Sequence, residues 1–321
     1  MDGVSARRTR RDQRLDEAAR VAWLYFIAGK TQDEIASDMQ LSRQAVQRLV
    51  TMAVKEKLIH FQVRHQVASC MELAERLTDR FGLELCEVVP TDPDAPESTA
   101  GVAIATANRM ERLLNAEAPI VLCVGSGRTM RAAVEEIHGL HRPQHKIVAL
   151  VGSMAADGHA TEYDVVMRLA DKIGAQRFPA PVPVQARSIE ERKLLQSLSI
   201  YRSLLTLREQ AKASFLGIAE VAWQAPLHRD GFFSDADLSG LIDQGAIGEL
   251  TGWAFDEEGR LLDEDYNGKI VSLPLETPPK RLTVLVACGH LKTLPLRAAL
   301  TGRLANGLIT DERTADAILS S

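Results

Sequence analysis

The chain has 321 residues, 45% hydrophobic and 25% charged, an ordinary globular composition at a length that accommodates one small and one large domain. Its apolar runs, such as 120–124 and 284–288, are far too short to span a bilayer, and the Arg-rich start lacks the apolar stretch of a signal peptide, so a cytoplasmic protein is expected. The net charge is −5, yet residues 1–65 carry 12 Lys/Arg against 8 Asp/Glu (+4) and the remainder 26 against 35 (−9), so a basic small segment on an acidic body could attract nucleic-acid phosphates through one domain alone.

Residues up to Asp12 are Arg-rich and read as a flexible arm able to reach along DNA. From Asp16 to Ile27 the apolar Ala18, Val21, Ala22, Leu24 and Tyr25 recur at helical spacing, and Gly29 closes that helix. Helices are expected over 32–39 and 43–57, and the alternation at 59–63 fits the wing strand of a winged helix-turn-helix, ending a first domain at residue 65. The second domain, 66–321, opens with an amphipathic connector helix over 66–81, a strand over 83–89 and a Pro- and Asp-rich surface loop over 90–98. Helices over 101–115, 129–138 and 162–173 then alternate with strands over 120–124 and 146–151, the pattern of an open parallel α/β sheet. The theme repeats in a helix over 188–211, strands over 214–222 and 282–288, and helices over 234–243 and from 293 and 311, with a β-rich insertion expected over 253–275. The fold class is therefore α/β, a helical winged helix-turn-helix domain followed by a Rossmann-like domain.

Residues 31–50 carry the sharpest local signal. Thr31 with Glu34 forms the sequence of a capping box; Ile35, Ala36 and Met39 point inward; Leu41 fills the turn; Ser42 caps the next helix; and Val46, Leu49 and Val50 return to the same core. Arg43, Gln44, Gln47, Arg48 and Thr51 are left on the outer face of the second helix, where Arg suits guanine N7 and O6 and Gln suits adenine N6 and N7. Thr31, Gln32 and Ser42, at helix starts, are placed for phosphate contacts. Gln40 stands where such turns usually carry Gly, so either a left-handed Gln or another turn shape is required. An ordinary helical hairpin is the competing reading.

In the larger domain the strand ending at Val124 runs into Gly125, Ser126, Gly127, Arg128 and Thr129 and then a helix. Glycines permit close backbone approach, and helix amides, hydroxyls and the Arg charge can hold a phosphate or a polyol; a ligand-free tight turn is the alternative. Gly152 and Ser153 form a second such junction, and both loops would line one crevice; Lys292, following the strand 282–288 at its carboxyl end, and Asp311, which opens the last helix, would close it, and Asp256 could accept sugar hydroxyls. Cys70, Cys86, Cys123 and Cys288 form no C-x-x-C pair and read as free thiols. His138, His141 and His145 lie in a loop without ligand-spaced partners, so no metal and no cofactor is expected, only a small-molecule effector.

Trp23-Leu-Tyr-Phe, Gly29-Lys-Thr-Gln-Asp-Glu-Ile-Ala, Leu41-Ser-Arg-Gln-Ala-Val-Gln-Arg-Leu, Gly125-Ser-Gly-Arg-Thr, Gly245-Ala-Ile-Gly, Phe255-Asp-x-x-Gly, Gly289-x-x-Lys and Leu308-Ile-Thr-Asp together resemble, in order along nearly the whole chain, the SorC family of sugar-binding transcriptional regulators. The resemblance implies an effector domain with the fold of sugar-phosphate isomerases and deaminases and a sugar, polyol or phosphosugar effector. It also implies operator DNA as partner and self-association as a dimer or tetramer. By position it places Gly125 to Thr129, Gly152, Ser153, Glu162, Asp256, Lys292 and Asp311 around the effector. A catalytic isomerase or deaminase with a helical appendage is the alternative, and no catalytic residue is assigned.

Overall fold

The computed structural model describes residues 10–56, 58–59, 66–154, 164–229, 234–263 and 265–320. The chain divides into two compact units, residues 1–64 and 65–321. Glu162 and almost all of the expected wing strand over 59–63 lie outside the described residues, as does the arm before Arg10.

The first unit contains α1 (Arg10–Phe26), α2 (Gln32–Met39) and α3 (Arg43–Lys55). Helix α1 starts upstream of the expected Asp16, within the stretch read as an arm, because Arg and Gln favour helix and no Gly or Pro separates Arg10 from Leu15. Ala18, Val21 and Ala22 of α1, Ile35 of α2 and Val46, Leu49 and Ala53 of α3 are buried together, with Met39, Leu41 and Val50 packed against them. Three alanines at these contacts let short helices approach closely enough to form a core from few residues.

The second unit runs α4 (Gln66–Phe81), β1 (Leu85–Val89), α5 (Ala100–Leu114), β2 (Val121–Val124), α6 (Arg128–Glu135), β3 (Lys146–Met154), α7 (Val165–Ile173) and β4 (Gln176–Pro183). It continues α8 (Ile189–Ser197), α9 (Ser199–Glu209), β5 (Ala211–Leu216), β6 (Ala219–Glu220), α10 (Pro226–Arg229), α11 (Asp235–Asp243), β7 (Gly248–Leu250) and β8 (Trp253–Phe255). It closes with β9 (Leu282–Val286), α12 (Thr293–Thr301), β10 (Gly307–Asp311) and α13 (Glu312–Ser320). Seven strands form one parallel sheet in the order β1-β10-β9-β5-β2-β3-β4. All four residues of β2 and all five of β10 are buried, as strands covered on both faces must be. From β2 the chain steps outward to β3 and β4, then returns to β5 and steps the other way to β9 and β10, so strand order reverses between β2 and β5.

Several elements differ from expectation. Strand β4 was hidden by Pro179, Pro181 and Pro183 in its eight residues; it occupies the sheet edge, the place where a strand tolerates missing N–H donors. The short run 307–311, for which only the start of the last helix at 311 is expected, is the strand β10, which pairs on both sides. The single helix expected over 188–211 is broken at Leu198, whose ψ of 142° is extended, and Ala211 already belongs to β5. The strand expected over 214–222 changes sheets: β5 ends at Leu216 and β6 joins an antiparallel trio with β7 and β8. Beyond Phe255 the expected β-rich insertion is mostly irregular, held by Asn267, whose side-chain amide donates to the Ala254 and Leu262 carbonyls and accepts from the Ala254 N–H.

Candidate DNA-reading face and effector crevice

The helix-turn-helix is built by its caps. Thr31 Oγ1 accepts from the Glu34 N–H at 3.3 Å while Glu34 accepts from the Thr31 N–H at 2.8 Å, the reciprocal capping box. Gln40 does adopt the left-handed conformation (φ 54°, ψ 41°), and the Leu41 N–H then donates to the Ala36 carbonyl at 2.9 Å. Ser42 Oγ accepts from the Ala45 N–H at 3.2 Å and starts α3. Arg43, Gln44, Gln47, Arg48 and Thr51 are exposed on α3, as are Thr31 and Ser42, while Gln32 is half-buried. Arg43 lies 3.6 Å from the Asp33 carboxylate and the Thr51 hydroxyl donates to the Gln47 carbonyl.

The strand order reverses between β2 and β5, the place where open α/β sheets characteristically offer a ligand crevice beyond the strand ends, and the loops leaving these two strands are the candidate effector site. Gly125 is buried, and its N–H donates to the Phe215 carbonyl at 2.8 Å, extending the β2–β5 ladder by one residue. A Cβ on Gly217 would stand 2.7 Å from the Ser126 carbonyl oxygen, so the two loops run in contact. Gly127 has φ 120°, a backbone that side-chain-bearing residues rarely adopt, with open space where a Cβ would stand. It precedes α6 without a side-chain cap, leaving the first amides of that helix available to ligand oxygens. Ser126 and Thr129 are half-buried beside it, and Arg128 is exposed.

On the β5 and β9 side, Lys292 donates to the Glu220 carboxylate, and both side chains are largely buried, 19% and 10% exposed. The buried Glu249 accepts from the Gly252 N–H within the tight β7–β8 connection. Burial pushes its carboxyl up to about 7, against that bond and the field of Lys292, which both pull it down. Thr251 in the same turn approaches the first loop: a Cβ on Gly125 would lie 3.5 Å from its methyl group. Its hydroxyl is buried and has no hydrogen-bond partner among the described residues. Glu220, Glu249 and Thr251 were not singled out from the sequence. Glu249 could have been, since it directly follows the Gly245-Ala-Ile-Gly run; Glu220 becomes visible only once the β5 chain crosses to the second sheet.

Other expected residues are placed differently. Gly152 and Ser153 lie within β3, which continues to Met154: a Cβ on Gly152 would meet the Pro183 backbone at 2.6 Å, and Ser153 Oγ donates to the Ala180 carbonyl at 3.0 Å. These two residues thus serve the β3–β4 contact. Asp256 accepts from the Glu258 and Arg260 N–H groups at 3.1 and 2.9 Å and pairs with the Arg260 guanidinium at 2.9 Å. Partial burial raises its carboxyl, but the Arg260 and Glu258 bonds outweigh that and hold it below the usual range. Asp311 accepts from the Thr91 hydroxyl at 2.7 Å and the Thr314 N–H at 3.1 Å, capping α13. Both carboxylates are thus committed within the fold.

His145, His141 and Cys123 pack within the fold. Buried His145 accepts from the Ile120 N–H and donates to the Leu114 carbonyl at 2.9 Å, and His141 packs its ring against Gly174. Cys123 is buried in β2, and burial pushes its thiol up to about 12. Among the described residues no helix is long and apolar enough to cross a membrane.

A helix-turn-helix with an exposed Arg/Gln face, on a chain whose parallel sheet reverses its strand order beside Gly- and hydroxyl-bearing loops, points to a ligand-responsive DNA-binding protein as the class. Residues 65–320 match the family described as "Putative sugar-binding domain". The chain is 30% identical over 302 residues to the erythritol catabolism regulatory protein EryD of Brucella abortus, covering 94% of this chain and 96% of that one. It is 29% identical over 307 residues to the transcriptional regulator LsrR of an Enterobacter species, covering 94% and 92%. The full-length sorbitol operon regulator SorC of Klebsiella pneumoniae shares the fold with a TM-score of 0.70 at 21% identity, over 96% of this chain and 99% of that one. The chain belongs to the SorC family of sugar-binding transcriptional regulators.

Proposed function

We propose that the chain governs a carbohydrate catabolic operon from operator DNA and that a sugar, polyol or phosphosugar bound in the β2–β5 crevice controls it. Helix α3 enters the major groove, with Arg43, Gln44, Gln47 and Arg48 at base edges and Thr31, Gln32, Ser42 and Thr51 on the backbone. The observation that carries the DNA reading is the Arg48 side of α3: exposed donors on a helix whose opposite face is wholly core. Because one recognition helix spans too few base pairs for specificity, the protein acts as a dimer or tetramer, in the cytoplasm. Gly125 to Thr129, Lys292, Glu249 and Thr251 bind the effector; Gly152, Ser153, Asp256 and Asp311 hold the crevice walls in place, and Glu162 belongs to the segment that follows β3. We read the crevice as non-catalytic, without cofactor or metal: Glu220, Asp256 and Asp311 are each tied to a partner in the fold.

A mobility shift with DNA from upstream of the protein's own gene tests this. Binding that one compound of a sugar and polyol panel alters is the expected result, with Arg48→Ala weakening operator affinity by about 1–3 kcal/mol. Full affinity in Arg43→Ala and Arg48→Ala alike removes the recognition-helix assignment, and DNA binding blind to every compound removes the effector reading.

A further inference from the structure

The charge balance of the crevice bears on the chemistry of its ligand, an inference that rests on the effector role proposed for that crevice. Of the cations in the crevice, Arg128 is exposed and Lys292 is half-buried, and Lys292 is already bonded to a carboxylate. Glu249 stands close enough to feel the same ammonium, so the buried groups bring two acids to one base. We propose that Glu220 makes this crevice selective for uncharged polyhydroxylated ligands, polyols or free sugars, over their phosphate esters.

The reason lies in donors and acceptors. A paired ammonium and carboxylate offer N–H donors and oxygen acceptors side by side, and each ligand hydroxyl can both give and receive a hydrogen bond. The Thr251 hydroxyl, buried beside Gly125 without a partner among the described residues, has the same dual capacity and awaits a group of the same kind. A phosphate dianion only accepts. To reach Lys292 it must displace Glu220, leaving a largely buried carboxylate without its counter-charge next to a second acid. A polyol adds to the pair without breaking it.

The experiment is isothermal titration and thermal shift on the full chain with erythritol, ribitol, sorbitol and glucose, each beside its terminal phosphate ester, and with inorganic phosphate. The expected result is an uncharged compound that binds at least about tenfold more tightly than its ester, and a loss of most of that ratio in Glu220→Gln, where Lys292 is released. An ester that binds the unaltered protein more tightly than its parent overturns the proposal, as does an unchanged ratio in a folded Glu220→Gln variant. Should that variant not fold, the ratio in the unaltered protein decides alone. If no compound of either kind binds, it is the sugar-effector reading that falls.

Discussion

The two units place their function-bearing residues in opposite ways. In the helical unit they are exposed, with the buried face made of Ala, Val, Ile and Leu and the helix ends fixed by caps three residues away. In the sheet unit Gly125, Glu220, Glu249 and Thr251 are buried, and contacts that shape the crevice join positions far along the chain, as Lys292 is joined to Glu220 and Gly125 to Phe215. A surface that must read a partner keeps its donors turned to solvent, whereas a pocket must offset the desolvation of its own charges before it can bind anything. Substitutions on the exposed face of α3 should therefore act on binding alone, and those of buried crevice residues on binding and stability together.

The largest expected effect lies in the sheet unit and away from the crevice mouth. Gly152→Ala puts a methyl group into the Pro183 backbone, 2.6 Å away, so β3 and β4 must separate. A loss of roughly 3 kcal/mol is expected in denaturant unfolding of that unit, as for other overpacked core sites. If Gly152→Ala keeps full stability and loses only effector binding, Gly152 is a ligand contact after all and the contrast between the units weakens.

The second effect is a pH dependence. Glu249 has its carboxyl raised to about 7 by burial, so in the folded state it holds its proton where the unfolded chain, at the ordinary value of 4.5, has released it. Its contribution to stability is fully present below that lower value and is lost as pH rises through about 7, on the order of 3 kcal/mol in all. Unfolding midpoints measured from pH 5 to pH 8 should fall accordingly, and Glu249→Gln should flatten the curve. An identical slope in the variant would show that another group sets it.

The smallest effect falls in the helical unit. Gln40→Gly relieves a left-handed side-chain-bearing residue at the helix-turn-helix bend and should stabilise the first unit by about 1 kcal/mol without changing operator affinity. A change in operator affinity larger than the stability gain would mean that Gln40 itself reaches DNA.

The helix-turn-helix was legible residue by residue, including the capping box and the inward and outward faces, because each of its determinants acts within one or two turns. The turn from β2 into α6 was also legible, since Gly127 and the start of α6 are neighbours in sequence. The bonds of Asp256 and Asp311 within the fold were not legible, because a carboxylate looks the same in sequence whether it faces solvent, a ligand or a local N–H.

Local sequence was enough for the helices, through period and caps, and for the alternation of strands and helices that calls for a parallel sheet. It was not enough to make a proline-rich segment an edge strand, to reverse the strand order between β2 and β5, or to bring Glu220 to Lys292; those arise only in the folded chain. The difference is one of range. Dihedral preferences and hydrophobic period act over a few residues, while the pairing of a strand or a buried charge is set by whatever the folded chain brings alongside it.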